Sequence, residues 1–228
     1  SFQEFLAAVE INESKKEDIL IKNINNTWWS ETIRLYAAQA KDATNIVNAV
    51  INMPLPLINA FLVIADYEEE GWPINQQVRE ELVNKLDAAL ESNESEIFKL
   101  AAGVKLARRL KDLVRVDQEL EIDNNYITRA EYNIFLLETG YKKNPQNWQN
   151  QNFPQGTAKS KADGITLEDA NQFCCWLSLR DFTNQLNEQL VTWYRLPTPK
   201  ERNEYRMGEA NFAQNTGIRL VRYNLPLI

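Results

Sequence analysis

The sequence predicts an α+β fold, in which an N-terminal α-helical bundle is followed by a compact domain of mixed helices and strands. Apolar residues recur at helical spacing through the first half, whereas after residue 113 they alternate with polar residues, which is the period of a half-buried strand. Charge is divided as well: residues 1–120 carry 20 acidic and 13 basic side chains, and residues 121–228 carry 12 of each. We therefore predict two domains, residues 1–112 and 113–228.

The first domain is predicted to contain four helices. The helix over 31–51 has Ser30 as its N-cap and is broken by Pro54, so that a second helix follows over 57–70. Apolar spacing predicts a third helix over 78–90 and a fourth over 97–110, whose basic last turn complements the helix dipole.

In the second domain, alternation predicts one strand over 114–122. Thr128 with Glu131, and Thr166 with Asp169, have the spacing of a capping box, so each pair is expected to begin a helix. Residues 144–161 are predicted to be loop, and 193–196 and 217–223 to be strands. The side chains expected in the core are Tyr132, Phe135, Leu136, Ala170, Phe173, Cys174, Leu177, Leu196, Ile218 and Leu220.

The second domain contains four short sequence phrases in a characteristic order along the chain. They are YITRAEY at 126–132, DANQFCCWL at 169–177, YRLPT at 194–198 and GIRLVR at 217–222. Together they resemble the formylglycine-generating-enzyme (sulfatase-modifying factor) branch of the C-type-lectin fold. The resemblance implies a C-type-lectin-like domain over 113–228.

The same resemblance implies a binding domain without chemistry. In formylglycine-generating enzymes the reactive cysteines lie in a long segment between the third and fourth phrases. Here only residues 199–216 fill that interval, and they contain no cysteine. We therefore expect no enzymatic activity, no catalytic residue and no cofactor.

The segment before Gly217 is the candidate ligand face. In C-type-lectin-fold variable proteins of diversity-generating retroelements, which this ending resembles, the diversified positions lie just before the closing strand. Aromatic, Arg and Met side chains are favoured in interface cores, and Asn and Gln offer adaptable hydrogen bonds, so the ligand is expected to be a protein. A polar surface loop is the alternative. The candidate residues are Asn203, Tyr205, Arg206, Met207, Glu209, Asn211, Phe212, Gln214 and Asn215.

The first domain carries a second resemblance. SFQEFLAA at 1–8 and WWSETIRLYAA at 28–38 resemble the helical region that follows the nucleotide-binding core of NACHT-type signalling ATPases. The resemblance implies that these residues are the C-terminal sensor part of a longer protein, with an upstream NTPase region as partner. Ordinary amphipathic helices are the alternative. No phosphate-binding loop occurs in these residues.

Composition excludes several classes of function. There is no histidine, so Ser-His-Asp and Cys-His nucleophile pairs and His-ligated zinc are excluded from this chain. The net charge of −7 gives no basic footprint for nucleic acid, and no apolar run has the length of a membrane helix. The two cysteines, Cys174 and Cys175, are adjacent and form no disulfide framework, which favours a cytoplasmic setting; both are expected to be structural.

Acidic groups suggest metals only weakly. Asp163, Glu168 and Asp169 are candidate calcium ligands, but calcium needs six to eight oxygens and these three lie in one short stretch, so no metal is predicted. Residues 68–70, three glutamates, are expected to be a solvated face. Two rival functions stay open. A sulfatase-modifying-type enzyme would need reactive cysteines after residue 198, and a structural oligomerisation domain would need a large apolar patch.

Overall fold

The computed structural model describes residues 2–24, 26–52, 75–146, 148–149, 152–184, 190–205 and 217–226. The chain divides into two units, Ser1–Val104 and Lys105–Ile228. This division falls inside a helix and eight residues before the boundary predicted at 112/113. Domain limits of 1–112 and 113–228 stay a prediction.

Helices make up the described part of the first unit. They are α1 (Phe2–Glu13), α2 (Glu17–Lys22), a 3₁₀ turn (Thr27–Trp29), α3 (Ser30–Gln39), α4 (Thr44–Ile51), α5 (Gln76–Ala89) and α6 (Ser95–Lys111), which continues into the second unit. The helices predicted over 78–90 and 97–110 are thus present as α5 and α6. The helix predicted over 57–70, and the glutamates at 68–70, lie outside the described residues.

The single helix predicted over 31–51 is wrong, because two helices, α3 and α4, cover this range. Asp42 lies in the interruption, and its Oδ1 accepts the backbone N–H of Thr44 at 2.9 Å. An aspartate that bonds the backbone in this way begins a new helix instead of continuing the old one. Ser30 is not an N-cap either. It is the first residue of α3, and the preceding Trp29 makes no side-chain cap bond.

The core of the first unit is apolar and draws on α1 to α6. Its largest fully buried side chains are Leu20, Ile24, Ile33, Ile46, Leu82 and Leu86. Burial of amphipathic faces accounts for helices as short as α2, since isolated helices of this length are unstable in water.

The second unit contains a four-stranded antiparallel sheet in the order β1-β2-β4-β3. The strands are β1 (Val114–Arg115), β2 (Leu120–Ile122), β3 (Leu190–Arg195) and β4 (Val221–Pro226). Among the described residues three helices accompany them: α7 (Arg129–Thr139), α8 (Leu167–Asn184) and α9 (Pro199–Glu204).

The strand predicted over 114–122 is wrong in one respect, because the segment is a hairpin of β1 and β2. Asp117 makes the turn: its Oδ1 accepts the backbone N–H of Glu119 at 2.8 Å and of Leu120 at 2.7 Å. These bonds reverse the chain, so that Val114 pairs with Ile122.

Both predicted capping boxes of α7 and α8 are confirmed. Thr128 Oγ1 accepts the N–H of Glu131 while the Glu131 carboxylate accepts the N–H of Thr128, and Thr166 and Asp169 make the same reciprocal pair. Between the two helices lies an aromatic core. Tyr132 and Phe173 stack with their ring centroids 5.7 Å apart.

Nearly all side chains predicted for this core are buried. Leu196 is the exception, since it is only half-buried and Pro197 takes the buried position. The last predicted strand starts later than expected. Residues 217–220 make no regular ladder, although the Leu220 carbonyl accepts the N–H of Asp123 at 2.9 Å, and β4 begins at Val221.

No helix within the described ranges is long and apolar enough to cross a membrane.

Candidate functional site

The predicted ligand face lies between two anchors. Asn203 is exposed on α9, and Tyr205 is half-buried directly after it. The other seven predicted residues, Arg206, Met207, Glu209, Asn211, Phe212, Gln214 and Asn215, lie outside the described residues. What the structure shows of this site is therefore the residues on either side of segment 206–216, up to Tyr205 and from Gly217 onward.

The first anchor is α9, which is held by a charged network. Thr198 caps the helix with Glu201 as its capping-box partner, and Pro199 occupies the first turn. Arg195 of β3 donates two hydrogen bonds to the carboxylate of Glu201, of 2.7 Å to Oε2 and 2.6 Å to Oε1. The Arg195 hydrogen bond lowers the pKa of Glu201 to about 2, so the carboxylate is charged at neutral pH. Arg195, Thr198 and Glu201 together fix α9 to the sheet.

Tyr205 ends this anchor. Its backbone N–H donates to the Glu201 carbonyl at 2.9 Å, and its ring packs against the cluster of Leu120, Ile122 and Val221. The ring thus contributes to packing on the sheet. A role of Tyr205 in ligand binding stays a prediction.

The second anchor is Gly217, where the segment returns. A Cβ on this residue would lie 2.5 Å from Cγ of Lys161 and 3.0 Å from the Ala162 carbonyl oxygen, so a larger residue would have to displace the Lys161 side chain. The next residue is fixed by the backbone: the Ile218 carbonyl accepts the N–H of Ile127 at 2.8 Å. Ile218 and Leu220 are fully buried, as predicted.

Beside this anchor, two cations flank one aromatic ring. The Arg219 guanidinium carbon lies 4.4 Å from the ring centroid of Tyr126, and the Lys161 ammonium nitrogen lies 5.2 Å from it. Sequence reasoning did not single out these residues. The signal available was the alternation in GIRL, which turns Arg219 away from the buried Ile218 and Leu220.

Behind α7, a buried ion triad joins three segments. Arg109 of α6 donates from Nε to Glu131 Oε1 at 2.8 Å and from Nη1 to Asp123 Oδ2 at 3.1 Å. All three side chains are nearly buried. The sequence predicts only that the basic last turn of α6 complements the helix dipole. No local pattern shows which carboxylates Arg109 contacts.

The sulfatase-modifying factor enzyme 1-like domain matches residues 93–207, about half of the 228 residues. The chain belongs to this family. The match takes in the triad, both capped helices α7 and α8, and the Arg195–Glu201 anchor. No curated protein and no solved structure matches the chain.

In this sulfatase-modifying-factor-like domain the two cysteines differ. Cys174 is buried, and burial raises the pKa of its thiol to about 12. Cys175 is exposed, which corrects the expectation that both are structural core residues. Adjacent residues of a helix point about 100° apart, so α8 can bury only one of them against the aromatic core. A lowered pKa favours thiolate chemistry, so the buried environment of Cys174 opposes a nucleophilic role.

The acidic residues considered for calcium are engaged elsewhere. Asp163 binds Arg129 at 2.9 Å, Glu168 binds Lys143 at 2.5 Å, and Asp169 caps α8 and accepts the Tyr141 hydroxyl at 2.7 Å. Within the ranges that the structure describes, no group of three His, Cys, Asp or Glu side chains could hold a metal ion.

Proposed function

We propose that the chain is a non-catalytic, ligand-binding variable protein of a diversity-generating retroelement. It would recognise a protein ligand through residues 203–215 and form the C-terminal sensor part of a NACHT-type signalling or conflict protein. One observation carries this proposal: in the sequence, residues 206–216 are flanked by two firmly built anchors, Arg195–Glu201 and Gly217. Such an arrangement lets the segment change its sequence while the scaffold stays intact.

The contacts described at both anchors come from residues outside the segment 206–216. The Arg195 and Thr198 bonds end at Glu201, and the close packing of Gly217 is against Lys161 and Ala162. Substitutions within 206–216 would leave these described contacts in place. The resemblance of GIRLVR to the closing phrase of variable proteins adds to this argument.

The position of the thiols supports the absence of catalysis. Both cysteines of the sequence lie on α8, and none lies between residues 198 and 217, where the family's reactive cysteines occur. The unpaired state of Cys174 and Cys175 also fits a cytoplasmic protein.

The proposed link to an NTPase has support in α1. Phe2, Phe5 and Leu6 recur at helical spacing and are 74%, 43% and 49% exposed. A stripe of this kind is what a helix presents when it packs on a neighbouring domain. Ligand binding at the second unit would then bias an NTPase upstream of α1, which is an argument by resemblance to NACHT-type proteins.

Sequencing of the locus in many isolates tests the retroelement role. Codons for 203–215 should differ among isolates almost wholly at positions that are adenine in a nearby template repeat, beside a reverse-transcriptase gene. Codons for Arg195, Thr198, Glu201 and Gly217 should not vary in this way and serve as the internal control. Substitutions spread evenly over the domain, or no template repeat, would refute the proposal.

Family membership favours a second candidate, an enzyme of the sulfatase-modifying type. In that case the exposed Cys175 would be the residue available for thiol chemistry. Incubation with a sulfatase-derived cysteine peptide, followed by mass spectrometry, distinguishes the two. We expect no conversion of the cysteine, and Cys175→Ser serves as the matched control. Conversion by the wild-type chain that Cys175→Ser abolishes would establish the enzyme instead.

A further inference from the structure

Three chain segments meet beside the second anchor and fix three side chains. The Ile218 carbonyl accepts the N–H of Ile127 at 2.8 Å, and the Ile127 carbonyl accepts the N–H of Ala162 at 2.9 Å. A bridge between Thr128 and Lys161 adds a further tie. Tyr126, Lys161 and Arg219 project from these segments, and we call them the basic cluster. Because its backbone is hydrogen-bonded on all three segments, the cluster is preorganised.

The guanidinium of Arg219 lies over the ring of Tyr126. The guanidinium carbon lies 4.4 Å from the Tyr126 ring centroid, a distance at which the ring attracts the cation. The N–H donors of a guanidinium lie in its own plane. Nε of Arg219 is buried and has no acceptor within the described residues. A buried donor that lacks an acceptor is unfavourable, so the described contacts do not satisfy all the donors of Arg219.

Arg219 differs from the other arginines around it. Arg109, Arg129, Arg195 and Arg222 each bind a carboxylate of the same unit. Neither Arg219 nor Lys161 forms an ion pair with any residue that the structure describes. Two cations about one ring, with no anion between them among the described residues, are an arrangement suited to receive one.

We infer that the basic cluster binds a carboxylate of an acidic peptide, beside Gly217. This inference rests on the proposed function and names the chemistry of its ligand. The planar fork of Arg219 matches a carboxylate, and Lys161 adds a point charge beside it. Any specificity that residues 206–216 contribute would then add to this constant contact of the carboxylate with Arg219 and Lys161.

Charge favours a peptide over a nucleic acid. The chain has a net charge of −7, and Asp163 lies two residues from Lys161. Nucleic acid is a continuous polyanion and is bound by stripes of basic residues, whereas a single cluster in an acidic protein suits one carboxylate.

Isothermal titration of the whole chain with a blocked tetraglutamate peptide tests the inference, and a tetraglutamine peptide is the ligand control. We expect tetraglutamate to bind and tetraglutamine not to bind. Arg219→Gln should weaken binding by about tenfold or more, as for the loss of a charge-assisted hydrogen bond. Lys161→Gln should weaken it less. Lys142→Gln makes the same charge change at an exposed site and should leave the affinity unchanged.

Arg219→Lys serves where Arg219→Gln fails to fold, because it keeps the charge and most of the stem. It should bind about tenfold more weakly than the wild type, since a lysine lacks the fork. The inference is overturned if tetraglutamate does not bind, if Lys142→Gln weakens binding as much as Arg219→Gln, if Arg219→Lys binds as tightly as the wild type, or if single-stranded DNA of equal charge binds more tightly.

The sequencing test of the proposed function is independent of this titration. Tetraglutamate binding through Arg219 without adenine-directed variation would keep the anion site and refute the retroelement role. Variation without such binding would keep the role and refute the anion site.

Discussion

Replacing Arg109 with methionine tests how strongly the buried ion triad holds the start of α7. Methionine keeps much of the length of arginine and removes its charge. In the wild type the side chain of Arg109 is 12% exposed, and the carboxylates of Glu131 and Asp123 are 3% and 5% exposed. The substitution would leave two carboxylates in the protein interior without the cation that they share.

Removal of one partner from a buried ion pair costs about 3–5 kcal/mol of stability. Both carboxylates keep other donors. Glu131 Oε2 still accepts the Thr128 N–H at 2.7 Å, and Asp123 Oδ1 still accepts the Asn125 N–H at 2.9 Å. These bonds offset part of the loss, so we expect a cost of about 3 kcal/mol, near the lower end of that range.

Hydrogen exchange over α7, together with urea unfolding, measures this cost. Lys143→Met is the matched control, because Lys143 pairs with Glu168 at the exposed surface, where ion pairs contribute little to stability. A cost for Arg109→Met below about 1 kcal/mol, or one no larger than that of Lys143→Met, would refute the reasoning.

The deficit should also depend on pH. Burial raises the pKa of Asp123, and Arg109 opposes this rise. In the variant the opposition is gone, so the folded-state pKa lies further above the unfolded value of about 4. A group with a raised folded pKa contributes stability below its unfolded pKa and loses it as pH rises. The deficit of Arg109→Met should therefore be small near pH 4 and grow toward pH 7, and a constant deficit would contradict this account.

Three further predictions concern the anchor, the thiols and the domain limit. The pKa of Glu201 is lowered to about 2 from 4.5, so the wild type should lose anchor stability as pH falls through this interval. In an acid titration followed by near-ultraviolet circular dichroism, Glu201→Gln should not show that loss. Identical titrations of the two proteins would contradict the prediction. An aromatic disulfide reagent at about pH 8 should label Cys175 alone in the folded chain and Cys174 only after unfolding, because burial raises the pKa of Cys174 to about 12; two rapidly labelled thiols would refute this. A fragment of residues 105–228 should melt cooperatively and at a higher temperature than a fragment of residues 113–228, which lacks the cation of the triad, and equal melting temperatures would count against the triad.

Local features were predicted well. The capping boxes at Thr128 and Thr166 depend on residues three apart, so their spacing is visible in the sequence. The burial of Phe135 and Phe173 follows from helical period. Errors arose where a short polar side chain competes for the backbone, since Asp42 divides a predicted helix and Asp117 folds a predicted strand into a hairpin.

The candidate site was predicted only in outline. The phrases YRLPT and GIRLVR located its two ends, and the family match extends through the first of them. The two hydrogen bonds from Arg195 to Glu201 were not predicted, although Thr198 and Glu201 have the spacing of a capping box. The face itself, from Arg206 to Asn215, stays a prediction.

The sequence by itself determined the family, the helices with their caps and the absence of histidine chemistry, because each depends on neighbouring residues or on composition. Only the tertiary structure decided which charges meet. Arg109 finds Asp123 and Glu131, Arg222 donates to the Leu110 carbonyl 112 residues away, and Arg219 and Lys161 converge on Tyr126. Such contacts depend on how the chain returns to itself, and an arginine carries the same charge and the same donors whichever partner the fold brings to it.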